Sequence, residues 1–245
     1  MNKSLIFAKR NLKELYRDIL TLVFTILLPL AIFLIMMFLT SQIEIPNSAF
    51  DLKNFTPATI IFAFSFLTLF SSMLLAKDKS TAFLTRLLVS PMKASNFILG
   101  YTLPIILISL IQNILLFSAA LLLGLNFTFN IFIVILATIP VSILFSSLGL
   151  MLGAVLSDKQ ASGITSIVIQ IVAFTSGMWF DLNMIGGAFK FVSYLLPFAH
   201  TVNLLKYLLV GNFSNALIPL VVMVIYSLTF TLLAIFLFKK FAMKK

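Results

Sequence analysis

The sequence predicts an all-α integral membrane protein, with one transmembrane domain over residues 1–245 and six membrane-spanning helices. The first observation is composition: 61% of the residues are hydrophobic and only 10% are charged. The second is a mean hydropathy of +1.16. The third is a series of uncharged windows long enough to cross a hydrocarbon core of about 30 Å. A soluble domain of this length needs a charged surface, so these observations exclude that class.

The uncharged windows define the individual spans. The window 94–157 is too long for one helix, and we divide it near Gly124, where turn-forming residues cluster. The first 18 residues carry seven charges, so we expect no cleavable signal peptide. The predicted spans are residues 19–40, 54–76, 102–123, 131–156, 161–179 and 216–238.

The distribution of lysine and arginine predicts the orientation. If the N-terminus is cytoplasmic, 14 of the 17 basic residues lie on inner segments, and only Lys53, Lys190 and Lys206 lie outside. The positive-inside rule therefore predicts that both termini are cytoplasmic. The same rule accounts for the net charge of +10, so we expect membrane lipids and no nucleic acid as partners.

Two segments have apolar patterns but are not predicted to span. Residues 1–18 form an amphipathic helix, which lies along the inner interface or is simply a charged flank of the first span. Residues 181–215 contain apolar stretches too short to cross, which predicts re-entrant or interfacial helices on the outer side before the last span. Trp179 suits an anchor at the membrane interface, and Pro197 and His200 interrupt the apolar stretches.

Residues that would support catalysis are scarce. The chain has no cysteine, one histidine and no phosphate-binding GxxxxGK[ST] motif, so we expect no catalytic, cofactor or metal site and no enzyme activity of its own. The predicted spans contain no ionisable residue, which disfavours a proton-coupled carrier. Their polar residues either line a pathway or join helices; the candidates are Gln112, Asn113, Gln170 and Ser176.

Small residues in the fourth span offer a packing surface. Gly149 and Gly153 form a GxxxG pattern, which permits close helix approach within the chain or in a dimer.

The loop after the second span has its own helical pattern. Leu84, Leu87 and Leu88 are spaced to form one apolar ridge, and Pro91 ends the helix. Such a ridge fits a groove on a partner protein, whereas a loop that only satisfies the positive-inside rule needs neither ridge nor proline. We call residues 77–93 the docking segment. Either Asp78 or Ser80 is the candidate N-cap of its helix. The predicted contributors to docking are Asp78, Leu84, Arg86, Leu87, Leu88 and Pro91.

At three places the chain resembles the membrane subunit of type-2 ATP-binding-cassette (ABC) transporters, a family of bacterial exporters. Residues 7–18 are similar to the family's connecting helix. Residues 84–91, followed by Gly100, are similar to its coupling helix, although Thr85 stands where the family often has glutamate. The runs 176–180 and 196–198, followed by Gly211, are similar to its outer re-entrant hairpin. The resemblance implies that this hairpin gates the exit, with Trp179, Pro197 and His200 as the candidate residues.

The resemblance implies a permease subunit in a bacterial cytoplasmic membrane, paired with a second copy or a homologous permease. A separate ATPase subunit would dock on the coupling helix and hold the ATP and Mg²⁺. The implied function is export of a hydrophobic or amphipathic substrate, such as a drug, an antibiotic peptide or a lipid-linked glycan. The alternative is a channel or secondary carrier that uses no ATPase, and the leucine ridge distinguishes the two because only the exporter needs a docking partner.

Overall fold

The computed structural model describes residues 3–42, 48–81, 83 and 92–242, and these residues are almost entirely helical. Helices α1 and α2 are followed by a short 3₁₀ turn at Ser48–Phe50, and a π-helical turn at Phe238–Ala242 follows α10. The helices are α1 Lys3–Arg17, α2 Ile19–Gln42, α3 Leu52–Ser80, α4 Ala94–Leu122, α5 Asn130–Val155, α6 Asp158–Thr175, α7 Leu182–Ile185, α8 Gly187–Leu195, α9 Pro197–Leu209 and α10 Phe213–Leu237. The predicted all-α fold is confirmed.

Helix α3 lies at the centre of the bundle and contacts α2, α4, α5, α6 and α9. In its most apolar stretch 83% of the residues are buried, against 22% in α2 and 17% in α10. Some polar side chains inside α3 bond along the helix itself: the hydroxyls of Thr59 and Ser71 donate to the carbonyl oxygens of Phe55 and Leu67. Helices α2 and α10 therefore form the periphery, where exposed apolar side chains suit contact with lipid.

Five helices in the described part of the chain are long and apolar enough to cross a membrane: α2 to α5, and α10 with the turn that follows it. They coincide with five of the six predicted spans. The remaining prediction, 161–179, corresponds to α6, which has 18 residues and is not among the five. Its first turn is polar, with Asp158 and a Gln160 side chain that accepts from the backbone N–H of Ser157. It ends early because Gly177 adopts a positive φ of 77°.

Both terminal segments lie at the same end of the molecule, which we call the terminal end. The Phe7 ring of α1 packs on the Phe97 ring, with 5.6 Å between the ring centroids, and the Phe97 ring packs on that of Phe238, with 5.3 Å between the centroids. Helix α6 begins at this end, since Asp158 lines one cavity with Glu14 of α1. It finishes at the opposite end, which holds α7, α8 and α9 and which we call the hairpin end.

The GxxxG pattern is used inside the chain. A side chain at Gly149 would collide with the backbone oxygen of Thr68, and a Cβ at Gly153 would lie 2.6 Å from the oxygen of Ser72. These two glycines therefore allow α5 to approach α3 closely, and the pattern serves packing within the subunit. A hydrogen bond also joins α3 and α5, since the Thr68 hydroxyl donates to the carbonyl oxygen of Phe145 at 2.9 Å.

The segment predicted as an outer hairpin folds into three short helices, α7 to α9, none of them long enough to cross a bilayer. The chain turns at Gly186 and Gly187, whose φ angles of 64° and 55° favour glycine. Pro197 occupies the first turn of α9, where its missing N–H has no helical partner to lose. The turn-forming residues in the sequence thus mark the real helix ends.

Candidate functional site

The docking segment is only partly described. Its leucine ridge and stop lie outside the described residues: Leu84, Arg86, Leu87, Leu88 and Pro91. The structure does describe its two flanks, Phe83 and Met92, and the residues on which the segment is rooted. These residues belong to α1 and to the ends of α3 and α4 that lie at the terminal end of the molecule. We call this region the junction.

A buried ion pair forms the centre of the junction. The Arg10 guanidinium donates to both carboxylate oxygens of Asp78, at 2.7 and 3.0 Å, and the Tyr101 hydroxyl donates to the same carboxylate at 2.8 Å. The Asp78 side chain is 5% exposed and that of Arg10 is 29% exposed. A bidentate arginine with a third donor satisfies a buried carboxylate well. Asp78 thus joins α1, α3 and α4.

Aromatic rings link this ion pair to the docking segment. The Phe7 ring meets Tyr101 edge-on at 4.9 Å and stacks with Phe83 at 6.5 Å, while the Arg10 guanidinium lies 3.9 Å above the Phe83 ring. The contact requires Gly100, because a side chain there would collide with the Phe7 ring. Asn11 completes the packing by donating to the carbonyl oxygen of Gly100 at 3.1 Å. The entry to the docking segment is therefore fixed to α1.

Lys79 lies next to the ion pair but faces another helix. Its ammonium donates to the carbonyl oxygens of Gly153, Ala154 and Leu156 at 3.0, 2.5 and 3.0 Å. These carbonyls end α5, where the helix dipole favours a cation. The interaction ties the end of α3 to the end of α5, so the base of the docking segment is held from two sides.

Two of the polar candidates join helices. The buried Gln112 amide donates to the carbonyl oxygens of Thr25 in α2 and Ala63 in α3, at 2.8 and 3.3 Å. The neighbouring Asn113 amide donates to the Thr138 hydroxyl of α5 at 2.6 Å. Of the two roles that the sequence left open, these contacts favour helix association, because the NH2 group of each side chain donates to a neighbouring helix inside the subunit.

Gln170 lies on a different surface, a groove between α2, α3 and α6. The groove holds a cavity of about 660 Å³. Apolar side chains provide most of its wall, including Phe24, Phe66 and Trp179, and the polar side chains of Ser166 and Gln170 stand on the α6 side. An apolar cavity with few polar groups is typical of a site for a hydrophobic molecule. Gln170 and Trp179 are therefore brought together, although the sequence placed them in separate groups.

The other hairpin candidates hold the short helices in place. Pro197 is buried at the start of α9. His200 Nε2 donates to the carbonyl oxygen of Tyr194, 3.0 Å away, and the two rings meet edge-on at 5.4 Å. The Tyr226 hydroxyl of α10 donates to the carbonyl oxygen of Leu195 at 2.5 Å, which fixes the link between α8 and α9. These contacts make the hairpin a packed unit.

Ser176 lines a polar cavity of about 250 Å³ at the hairpin end, together with Asp181 and Lys206. The Asp181 carboxylate accepts from the backbone N–H and the side-chain amide of Asn183, at 2.8 and 2.9 Å. Burial lowers the pKa of the Lys206 ammonium, and the nearby negative charge of Asp181 partly opposes this shift. We call this region the hairpin cavity.

Sequence reasoning missed the partners of Asp78. Arg10 is one of the seven charges counted in the first 18 residues, with no role of its own predicted, and Tyr101 was not singled out. One signal was present: Asn11 is a polar residue between the apolar neighbours Phe7 and Leu15, which are buried with it on one face. Leu5 and Tyr16 are exposed on another face, so α1 has a protein-facing stripe, an exposed apolar stripe and a charged stripe.

Comparison with known protein families matches residues 3–210 to the family described as ABC-2 type transporter. The match covers most of the 245 residues, from α1 through the docking segment to the hairpin. No match is found among curated proteins. The matched residues include the junction and both cavities, and the chain has the apolar helices of a multi-pass membrane protein. The chain therefore belongs to the ABC-2 type transporter family as a membrane permease subunit.

Proposed function

We propose that this permease exports a hydrophobic or amphipathic substrate across a bacterial cytoplasmic membrane, driven by ATP hydrolysis in a separate subunit. The observation that carries the proposal is the apolar groove between α2, α3 and α6. Its cavity of about 660 Å³ matches the size of drug-sized ligand sites, about 300–1,000 Å³, and its wall offers few polar groups. A charged or strongly polar cargo would lose its hydration there without compensation.

The proposed topology has six spans with both termini cytoplasmic. It is supported by the contact between the terminal segments and by the course of α6 from one end of the molecule to the other. Eighteen helical residues reach about 27 Å, close to the thickness of the hydrocarbon core. This topology places the junction inside and the hairpin outside, in agreement with the distribution of basic residues.

In the proposed mechanism, the ATPase pushes on the docking segment and the junction transmits the movement. Phe83 is fixed to α1, and Asp78 and Lys79 connect the end of α3 to α4 and α5. A push at the segment therefore moves several helix ends together and changes the width of the groove. Two permease copies, or one copy and a homologous subunit, would face each other across it, and the hairpin would gate the exit.

Docking is tested by co-purification with an ATPase whose gene lies next to the gene of this chain. Leu87→Asp and Leu88→Asp should abolish the association, because a carboxylate in the ridge must be desolvated in the partner's groove. Ser80→Asp is the matched control, since it adds the same charge at an exposed position before the ridge. Undiminished association in both leucine variants would refute docking through the ridge, whereas no association of the unmodified protein with the ATPase would favour the channel or carrier alternative.

The groove is tested by ATP-dependent transport of a lipophilic fluorescent dye in proteoliposomes that contain both subunits. Ser166→Trp fills the groove and should lower the rate about tenfold or more, which corresponds to a barrier increase of about 1.4 kcal/mol. Ile167→Trp is the control, because Ile167 is exposed and does not line the cavity. Equal rates in the two variants would remove the groove from the pathway.

A further inference from the structure

The hairpin cavity has the composition of a binding site. It lies between the starts of α3 and α7, the end of α6, and helices α8 and α9, and it holds about 250 Å³. Its polar lining includes one ammonium, one carboxylate and several hydroxyl and amide groups. Six of the polar residues that line it are Ser176, Asp181, Tyr194, Asn203, Lys206 and Tyr207.

Two of these groups lack a partner in the described part of the chain. The Ser176 hydroxyl is 2% exposed, lines the cavity and makes no hydrogen bond there. The half-buried Lys206 ammonium has no carboxylate within 4.0 Å among the residues that the structure describes. Buried polar groups are nearly always satisfied in native proteins, so such a pair in one cavity points to a ligand that completes them.

The hydrogen bonds already present leave further donors available. The Asn203 amide donates to the Tyr194 hydroxyl at 3.2 Å, so that hydroxyl keeps its own proton to donate. Lys206, Ser176 and Tyr194 can therefore surround an anionic group. Asp181 is held in place by Asn183, and its remaining acceptor capacity suits a cation. The cavity thus offers Lys206 to a negative group and Asp181 to a positive group. A zwitterion, which carries both charges, fits it better than a simple anion.

The surroundings of the cavity indicate an amphiphile. Helices α7 and α8, which form one wall, expose large apolar side chains to the outside of the protein; these are Met184, Ile185 and Phe191. A chain of methylene groups could lie against them while its polar end occupies the cavity. A volume of about 250 Å³ corresponds to about eight waters at about 30 Å³ each, which is enough room for a phosphoethanolamine group.

We propose that the hairpin cavity binds the headgroup of a zwitterionic phospholipid, with the phosphate at Lys206 and Ser176 and the ammonium at Asp181. The lipid would hold the hairpin helices at the membrane surface. This inference does not depend on the ATPase or on the direction of transport, and its test requires neither.

The test measures binding of glycerophosphoethanolamine to the full-length chain in detergent by titration calorimetry. The unmodified protein should bind it, and Lys206→Met should weaken binding about tenfold or more, because the phosphate loses its cation. Lys190→Met is the matched control, since Lys190 lies in α8 and does not line the cavity. Asp181→Asn should reverse the preference, so that glycerol phosphate binds better than glycerophosphoethanolamine. A loss of folding cannot produce that reversal.

A second arm identifies the source of the headgroup. The protein is reconstituted in nanodiscs that contain equal parts of phosphatidylethanolamine and phosphatidylglycerol, and native mass spectrometry reports which lipid it retains. Retention of phosphatidylethanolamine, lost in Lys206→Met and kept in Lys190→Met, supports the proposal. Binding of the soluble compound without retention of the lipid would overturn the lipid assignment. Failure of the unmodified protein to bind either, or equal binding in Lys206→Met, would overturn the site.

Discussion

The two ends of this permease each bring an acidic, a basic and a tyrosine side chain together, and they do so in opposite ways. At the junction, Arg10 and Tyr101 give the Asp78 carboxylate three hydrogen bonds between 2.7 and 3.0 Å. In the hairpin cavity, Asp181 and Lys206 share a wall without forming an ion pair among the described residues. We call the junction set the closed cluster, because its charged groups pair with one another, and the hairpin set the open cluster, because its charged groups do not.

The difference follows from the chemistry of the two bases. A guanidinium is planar and matches a carboxylate with two parallel hydrogen bonds, so Arg10 and Asp78 lock three helices in one arrangement. An ammonium is a compact charge on a flexible stem, and Lys206 remains available to another group. In the proposed mechanism the closed cluster carries force from the docking segment, and in the proposed lipid site the open cluster receives a ligand.

The largest effect is expected from Asp78→Asn, which leaves the Arg10 charge without its partner. We expect a loss of about 3 kcal/mol in the free energy of unfolding, at the low end for a broken buried pair because Arg10 is partly exposed. Unfolding in mixed micelles at increasing dodecyl sulfate fraction measures it. Glu14→Gln is the control, since its contacts with Arg10 and Arg17 are 3.9 and 4.0 Å long and should contribute under about 0.5 kcal/mol. Equal losses in both variants would contradict the closed cluster.

A smaller effect is expected from Tyr101→Phe. It removes only the 2.8 Å hydrogen bond to Asp78 and keeps the ring contact with Phe7. A hydrogen bond to a charged group contributes about 1.5–3 kcal/mol, and we expect a loss of about 1.5 kcal/mol in the same assay. The double variant with Tyr101→Phe and Asp78→Asn should lose less stability than the sum of the two single losses, because both substitutions act on one cluster. Full additivity would mean that the hydroxyl acts elsewhere.

Much of the fold could be predicted from the sequence because hydropathy reports directly on membrane helices. Uncharged windows located five helices that are long enough to span, and Gly186, Gly187 and Pro197 marked the ends of the short ones. The residue ranges were less accurate. Helix α4 begins eight residues before the predicted span, at Ala94 rather than 102, since its first turns pack on α1 and are amphipathic rather than uniformly apolar.

The sites were less predictable because they depend on pairs distant in sequence. Asp78 was recognised as a candidate cap, but its partner Arg10 lies 68 residues earlier, and no local pattern joins them. Gln112 and Asn113 were noticed as polar residues in a span, yet only the structure shows which carbonyl and hydroxyl groups they meet. The apolar groove has no sequence signature, since its wall comes from one face each of α2, α3 and α6.

The smallest effect, and the one that distinguishes the open cluster, is expected from Lys206→Met as the pH changes. The pKa of Lys206 in the folded protein lies below its ordinary value of 10.5, so the unfolded chain binds the proton more tightly. Below the folded pKa the resulting penalty is complete. As the pH rises through the folded pKa toward 10.5, the penalty is relieved and the unmodified protein gains stability relative to Lys206→Met.

Unfolding curves of the two proteins at several pH values measure this gain, and near neutral pH, where the penalty is complete, the unmodified protein should be at its least stable relative to Lys206→Met. Saturating glycerophosphoethanolamine should reduce the gain, because a phosphate beside Lys206 favours its charged form and raises the pKa again. Parallel curves with and without the compound would show that the ammonium meets no anion, and the hairpin cavity would then be an open polar surface rather than a binding site.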